Sequence, residues 1–92
     1  MIKSFVHKGV ETFFRTGSKR GILPHHANRL RIQLGVLDSA TSPKDLDVSG
    51  WRLHELKGNA QGTWSITVNG NWRITFRFIN NDAELVDYLD YH

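Results

Sequence analysis

The sequence has no cysteine, so neither disulfides nor thiolate-bound metal can hold this 92-residue chain together, and nothing argues for an oxidising compartment. No apolar run approaches the ~18 residues that would suggest a membrane span. The opening Met1-Ile2-Lys3-Ser4-Phe5 lacks the hydrophobic stretch of a signal peptide. A soluble, cytoplasmic protein is expected. Repeats and low-complexity segments are also missing. Acid is scarce at one end and base at the other. Residues 1–37 hold seven Lys/Arg against the single acid Glu11, whereas residues 82–92 hold four acids and neither Lys nor Arg. The formal net charge of +3 therefore hides a basic first half. Such a half on a compact body suggests a polyanionic partner. A merely solvated basic face is the plainer reading of the same charge.

What is present is enough for one domain spanning 1–92. A chain of this size buries a limited share of its surface and must use its core well. All three tryptophans, Trp51, Trp64 and Trp72, fall in the second half. Residues 7–16 carry Val10, Phe13 and Phe14 at helical spacing, with Gly17 as a stop. Pro24 suits the first turn of a second helix. From there Ala27, Leu30, Leu34 and Leu37 recur every three or four residues, which predicts an amphipathic helix over 24–39 with Arg29, Arg31 and Gln33 off its apolar stripe. His25 and His26, at its start, read as exposed. Residues 40–50 are rich in turn formers.

After Gly50 the apolar period changes from about 3.6 to 2. Trp51 and Leu53 alternate with Arg52 and His54; Trp64, Ile66 and Val68 with Ser65 and Thr67; Trp72, Ile74, Phe76 and Phe78 with Arg73, Thr75 and Arg77. Asn69-Gly70 signals a hairpin between the last two runs, and Asn80-Asn81-Asp82 the next turn. Residues 83–91 read as the final strand and Ile2–Phe5 as a short edge strand. The fold class is α+β: two N-terminal helices packed on one face of a mainly antiparallel twisted sheet. Alternation then sends Arg52, His54, Arg73, Thr75 and Arg77 to the other, open face.

That face carries the candidate chemistry. Cutting RNA without a metal needs a base for the 2′-hydroxyl, cations for the crowded phosphorane and an acid for the leaving 5′-oxygen. An imidazole, with an unperturbed pKa of about 6.5, suits acid or base work. Arg and Lys suit the middle role. His54, Lys57 and Arg73, together with the terminal Asp90-Tyr91-His92, supply these types. Taken singly each has a duller reading. A lone strand His is usually a surface or packing residue, and Arg73 and Arg77 could be solvated cross-strand partners of Glu84 and Asp87. A zinc site from His54, Asp90 and His92 has acceptable ligand types but no recognisable spacing. No cofactor is expected.

Taken together, the segments Trp51-Arg-Leu-His-Glu-Leu-Lys-Gly58, Gly62-Thr-Trp-Ser-Ile-Thr-Val68, Asn71-Trp-Arg-Ile-Thr-Phe76 and Asp90-Tyr-His92 resemble HigB-type toxins of the RelE/ParE superfamily. The opening Met-Ile-Lys-Ser-Phe and His7-Lys8-Gly9 extend the resemblance over essentially the whole chain. Two departures are Glu55, where relatives commonly have proline, and Asn81, where glycine is frequent in the hairpin. The resemblance implies a ribosome-dependent endoribonuclease that enters the A site and cleaves mRNA, leaving a 2′,3′-cyclic phosphate and a 5′-hydroxyl. It carries the functional roles to His54, Lys57, Arg73, Asp90, Tyr91 and His92. Either His54 or His92 would be the base and the other the acid or an orienting group. Lys57 and Arg73 would hold the phosphorane, Asp90 would set an imidazole's tautomer, and Tyr91 would position the nucleotide. A HigA-like helix-turn-helix antitoxin is the implied protein partner. The 70S ribosome is the other, with Lys8, Lys19, Arg20, Arg29, Arg31 and Arg77 facing 16S ribosomal RNA and mRNA. No membrane partner is implied. A ParE-like gyrase inhibitor shares the fold but not the terminal catalytic groups. A non-catalytic RNA binder would display its strand aromatics for base stacking.

Overall fold

A computed structural model describes residues 1–91, so His92 lies outside the described residues. Helix α1 (Lys8–Thr16) is followed by a 3-10 turn, Pro24–His26, that leads into α2 (Ala27–Ser39). After a second 3-10 turn, Pro43–Leu46, come strands β1 (His54–Glu55), β2 (Trp64–Asn69), β3 (Trp72–Ile79) and β4 (Asp82–Asp90). The strands form an antiparallel meander in the order β1-β2-β3-β4. Beyond β4, the N-terminal segment pairs in parallel through isolated bridges, Ile2 with Ala83 and Phe5 with Val86. The expected α+β architecture, two helices on a mainly antiparallel sheet, is therefore the observed one.

Local chemistry explains the helix ends. His7 caps α1 by accepting the Val10 N–H on Nδ1 at 3.0 Å. Gly17 closes the helix in the left-handed region (φ 82°), where its N–H donates to the Phe13 carbonyl. Gly9 in the first turn touches the backbone of Gly21, so tightly that a Cβ on either would collide with the other's main chain. In α2 the stripe Ala27, Leu30, Leu34 and Leu37 is buried against Ile66, Ile74, Phe76 and Val86 in one core. Each fully buried Leu, Ile or Phe contributes about 1.5–3 kcal/mol.

Several expectations need correction. Gln33 is not off the buried face: it is 1% exposed, and its Nε2 donates to the Thr67 carbonyl at 2.8 Å. The pairing of β2 with β3 shifts register between Thr67 and Asn69, and a bulge there disrupts the ladder. Gln33 supplies that carbonyl with a donor. The hairpin turn lies one residue later than expected, at Gly70-Asn71, with Asn69 paired to Trp72. Asn80 and Asn81 form the next turn with φ of 51° and 71°, a left-handed pair that Asn tolerates well. The alternating strand expected from Trp51 is broken, because Arg52 adopts φ 54° and only His54–Glu55 pairs regularly with β2. Ile2–Phe5 is a pair of bridges rather than a full strand.

His26 is the largest surprise. It is 2% exposed, with Nδ1 2.6 Å from the Tyr88 hydroxyl and its ring edge-on to Trp72 and Tyr88. The hydroxyl also accepts the Leu23 N–H. Pro24 sets a 3-10 turn that rolls His26 inward while His25 stays outside. Burial, and then the neighbouring His25, push the His26 pKa below its ordinary 6.5, and burial raises Tyr88 above 10.0.

Two predictions follow from these buried polar groups. Replacing Gln33 with Met keeps the bulk but strands the Thr67 carbonyl, so chemical denaturation should show a loss of about 1–2 kcal/mol. A loss near zero would mean that water replaces the amide. For His26 the folded state prefers the neutral ring. Below pH 6.5 the unfolded chain binds the proton first, so stability falls through that pH and levels off once the folded pKa is passed. Between pH 7.5 and 5 the wild-type melting temperature should therefore drop further than that of His26→Gln. Parallel curves would count against His26.

Candidate active site

The register of the sheet fixes what shares the open face. Moving along the strands, Thr67, Arg73 and Leu89 form one row, and His54, Ser65, Thr75 and Asp87 the next. Arg77 and Glu84 belong to a third, level with the loop that joins β1 to β2. The core residues Ile66, Ile74 and Tyr88 alternate with them on the helix side. Arg73, Thr75 and Arg77 thus lie on the open side, as expected from period 2. Arg52 reaches its place by a left-handed kink instead.

That kink has a chemical result. With Arg52 at φ 54°, its carbonyl turns to meet the His54 ring, 3.0 Å from Nδ1. A carbonyl can only accept, so Nδ1 carries the proton in this contact. The neutral ring is then left with the Nε2 lone pair free to take another proton. His54 is exposed, and a non-glycine residue in the left-handed region costs energy that the surroundings must offset. Sequence reading could not find this, because alternation gave Arg52 an ordinary extended backbone.

Arg73 is half-buried, and its Nη1 donates to the carbonyls of Gly70 (2.6 Å) and Trp72 (3.1 Å). One arm of the fork is thereby fixed against the hairpin. Ladder spacings put the Cα atoms of His54 and Arg73 about 12 Å apart, within reach of one bound nucleotide by their side chains. Asp90 pairs with Trp72 at the end of β4, and the Tyr91 N–H donates to the Asn71 carbonyl at 2.8 Å. Trp72 in turn lies on Tyr88, with ring centres 4.6 Å apart, and His26 braces both. The His26–Tyr88–Trp72 stack therefore anchors the corner that carries Asp90 and Tyr91. Sequence reasoning missed this anchor; the Pro-His-His turn was the available signal. Tyr91 is 48% exposed, an aromatic surface open to a ligand.

Lys57 lies at the other end of the sheet, exposed beside a cleft of about 350 Å³ lined by Glu55, Leu56, Lys57, Gly58 and Gln61. Glu55, an acid beside the candidate cleft, accepts the Gly62 N–H on Oε2 at 2.9 Å and so ties down the loop carrying Lys57. Arg77 packs its guanidinium against Gly62 (φ 93°), where a Cβ would strike Nη2. Among the described residues no hydrogen bond or ion pair joins His54, Lys57 and Arg73 to one another, and no three His, Cys, Asp or Glu are grouped to hold a metal. His54 and Arg73 lie on the open face and Lys57 on the β1–β2 loop, whereas Asp90, paired with Trp72 at the end of β4, falls in the register of the helix side. That layout fits an extended chain better than a compact small molecule. His92 lies outside the described residues.

The remaining candidate cations lie elsewhere. Lys8, Lys19, Arg20, Arg29 and Arg31 are exposed on the helices and their connector, the layer behind the open sheet face. Arg31 is partly engaged, hydrogen-bonded to Asn28 and placed 5.7 Å from the centre of the Phe13 ring. No helix among the described residues is long and apolar enough to cross a membrane.

Two helices on a four-stranded antiparallel sheet are consistent with a RelE-like fold, and comparison with known proteins narrows the class. A family model described as the RelE-like toxin HigB of a type II toxin-antitoxin system matches residues 3–92. The chain is 47% identical over 92 residues to Endoribonuclease HigB of Proteus vulgaris, covering all of both chains. It is 34% identical over 94 residues to Toxin HigB-1 of Vibrio cholerae serotype O1, covering 100% of this chain and 98% of the relative. The chain belongs to the HigB-like toxin family of type II toxin-antitoxin systems.

The His54 geometry is directly measurable. Long-range proton–nitrogen NMR above the ring's titration should show the neutral imidazole protonated at Nδ1. An Nε2-protonated ring would contradict the contact with the Arg52 carbonyl.

Proposed function

We propose that this toxin is an endoribonuclease that cuts mRNA in the A site of the 70S ribosome. The observation that carries the reading is the His54 ring. Its Nδ1 proton is committed to the Arg52 carbonyl, and its free Nε2 shares the open face with the Arg73 guanidinium. In this mechanism His54 Nε2 removes the 2′-hydroxyl proton, and the 2′-oxygen attacks the adjacent phosphorus. Arg73, and Lys57 from its loop, stabilise the dianionic phosphorane by directed hydrogen bonds and charge. The 5′-oxygen leaves as a hydroxyl after taking a proton from His92, which Asp90 orients, and a 2′,3′-cyclic phosphate remains. Tyr91 stacks on a base at the sheet corner.

The helix layer then serves the ribosome. Lys8, Lys19, Arg20, Arg29 and Arg31 contact 16S ribosomal RNA while the opposite face receives mRNA, with Arg77 at its border. A HigA-like helix-turn-helix antitoxin is the cognate partner. The passive RNA-binding alternative asks for exposed strand aromatics, yet Phe76 is fully buried and Trp64 and Trp72 are packed against the core. Family membership argues for a toxin, and the free imidazole on a basic face for one that does chemistry.

The test is primer extension on a reporter mRNA translated by purified ribosomes. Loss of a positioned base, or of a cation that meets the transition state, costs about 10²-fold or more. His54→Ala, Arg73→Met and His92→Gln should each slow codon-phased cleavage to that extent. Wild-type rates from His54→Ala and Arg73→Met would refute this assignment.

A further inference from the structure

Ser65 and Thr75 sit side by side at the centre of the open face, paired across β2 and β3, with His54 beside Ser65 and Asp87 beside Thr75. They are only 2% and 5% exposed, although no helix covers this side. Buried side-chain hydroxyls normally have hydrogen-bond partners. Among the described residues neither hydroxyl makes one, and only Gln33 Oε1 is a sealed, unpartnered side-chain atom. The two oxygens are therefore unpaired but not wholly sealed from solvent, on the open side of the sheet. Arg73 and Arg77 stand two residues to either side of Thr75 on the same strand and the same face. One Arg73 nitrogen is bound to the hairpin carbonyls and Arg77 is seated against Gly62, so both cations are held in place on either side of Thr75.

Two donors without partners, lying between the Arg77 guanidinium and the Arg73 assigned to the scissile phosphate, match the non-bridging oxygens of the phosphodiester next to it. The Asp87 carboxylate is turned to its own strand, where Oδ1 accepts the Tyr88 N–H, and it repels an anion from that end. A bound strand is thereby directed toward His54. We propose that Ser65 and Thr75 are positioning residues that hold, through their hydroxyls, the RNA phosphate next to the one attacked at His54. The proposal rests on the endoribonuclease reading above. In this role they would align the 2′-hydroxyl with Nε2 without touching the reacting atoms.

The experiment is single-turnover cleavage of ribosome-bound mRNA, with toxin concentration varied to separate the maximal rate from half-saturation. Ser65→Ala combined with Thr75→Val removes both hydroxyls at nearly constant shape. The maximal rate should fall about tenfold, as for a lost hydrogen bond to a charged group. Half-saturation should move less than twofold, because ribosome docking uses the helix layer, and Thr75→Ser in place of Thr75→Val should recover part of the rate in the Ser65→Ala background. A double variant that folds and cuts at the wild-type rate would overturn the proposal. A second measurement does not depend on variants folding: mRNA carrying a methylphosphonate at the linkage next to the scissile one should be cut by wild type about tenfold more slowly. Cleavage at the ordinary rate would exclude a phosphate contact there. Failure of wild type to cut unmodified mRNA would sink the nuclease reading and this proposal together, whereas equal rates in variant and wild type sink the proposal alone.

Discussion

The seating of the Leu30–Leu34–Leu37 stripe of α2 on Ile66, Ile74, Phe76 and Val86 is the interaction on which the rest of the molecule depends. A four-stranded sheet with one helical layer can bury only one face, and a side-chain period of two gives every strand residue to one side or the other. Once the apolar set is committed to the helix side, Arg73, Thr75 and Arg77 have nowhere to go but the open side. Hydrophobic burial, which is non-directional, thereby fixes where a charged surface must appear.

That constraint was largely legible in the sequence. The switch from helical to alternating spacing after Gly50 gave the α+β class, the three long strands and the side on which the arginines lie. Legibility failed wherever the backbone left its regular path. Arg52 in a left-handed conformation, the bulge after Thr67 and the 3-10 turn at Pro24 each redirect one side chain. With them go the His54 ring contact, the Gln33 bond to the Thr67 carbonyl and the buried His26. Periodicity describes average geometry, and the detail it missed here sits in the exceptions. The candidate site was nominated by residue type and by family resemblance. The separation of its members from the β1–β2 loop to the end of β4 was not legible, since alternation assigns a face but not a distance.

The polar groups under the sheet corner show how core and site are linked. His26, Tyr88 and Trp72 form one hydrogen-bonded aromatic stack behind the strand ends that carry Arg73 and Asp90. Such a network rigidifies only when its members are satisfied, which helps explain why an ionisable ring is tolerated in a core this small. Precision at an exposed corner is obtained from packing one layer below it. Glu55 does the same at the other end with a single carboxylate-to-amide bond across its loop.

The contact between Gly9 and Gly21 has a consequence beyond packing. Lys8 and Arg20 each precede one of these glycines, so the crossing of two bare backbone segments draws together the chain positions of cations twelve residues apart in sequence, with Lys19 next in line. Closely set charges hold their own cloud of small anions and gain entropy when a polyphosphate surface displaces it. Two missing side chains thus raise the local density of positive charge. A β-carbon at either position would dilute the ion atmosphere of that patch without removing a single charge from the protein.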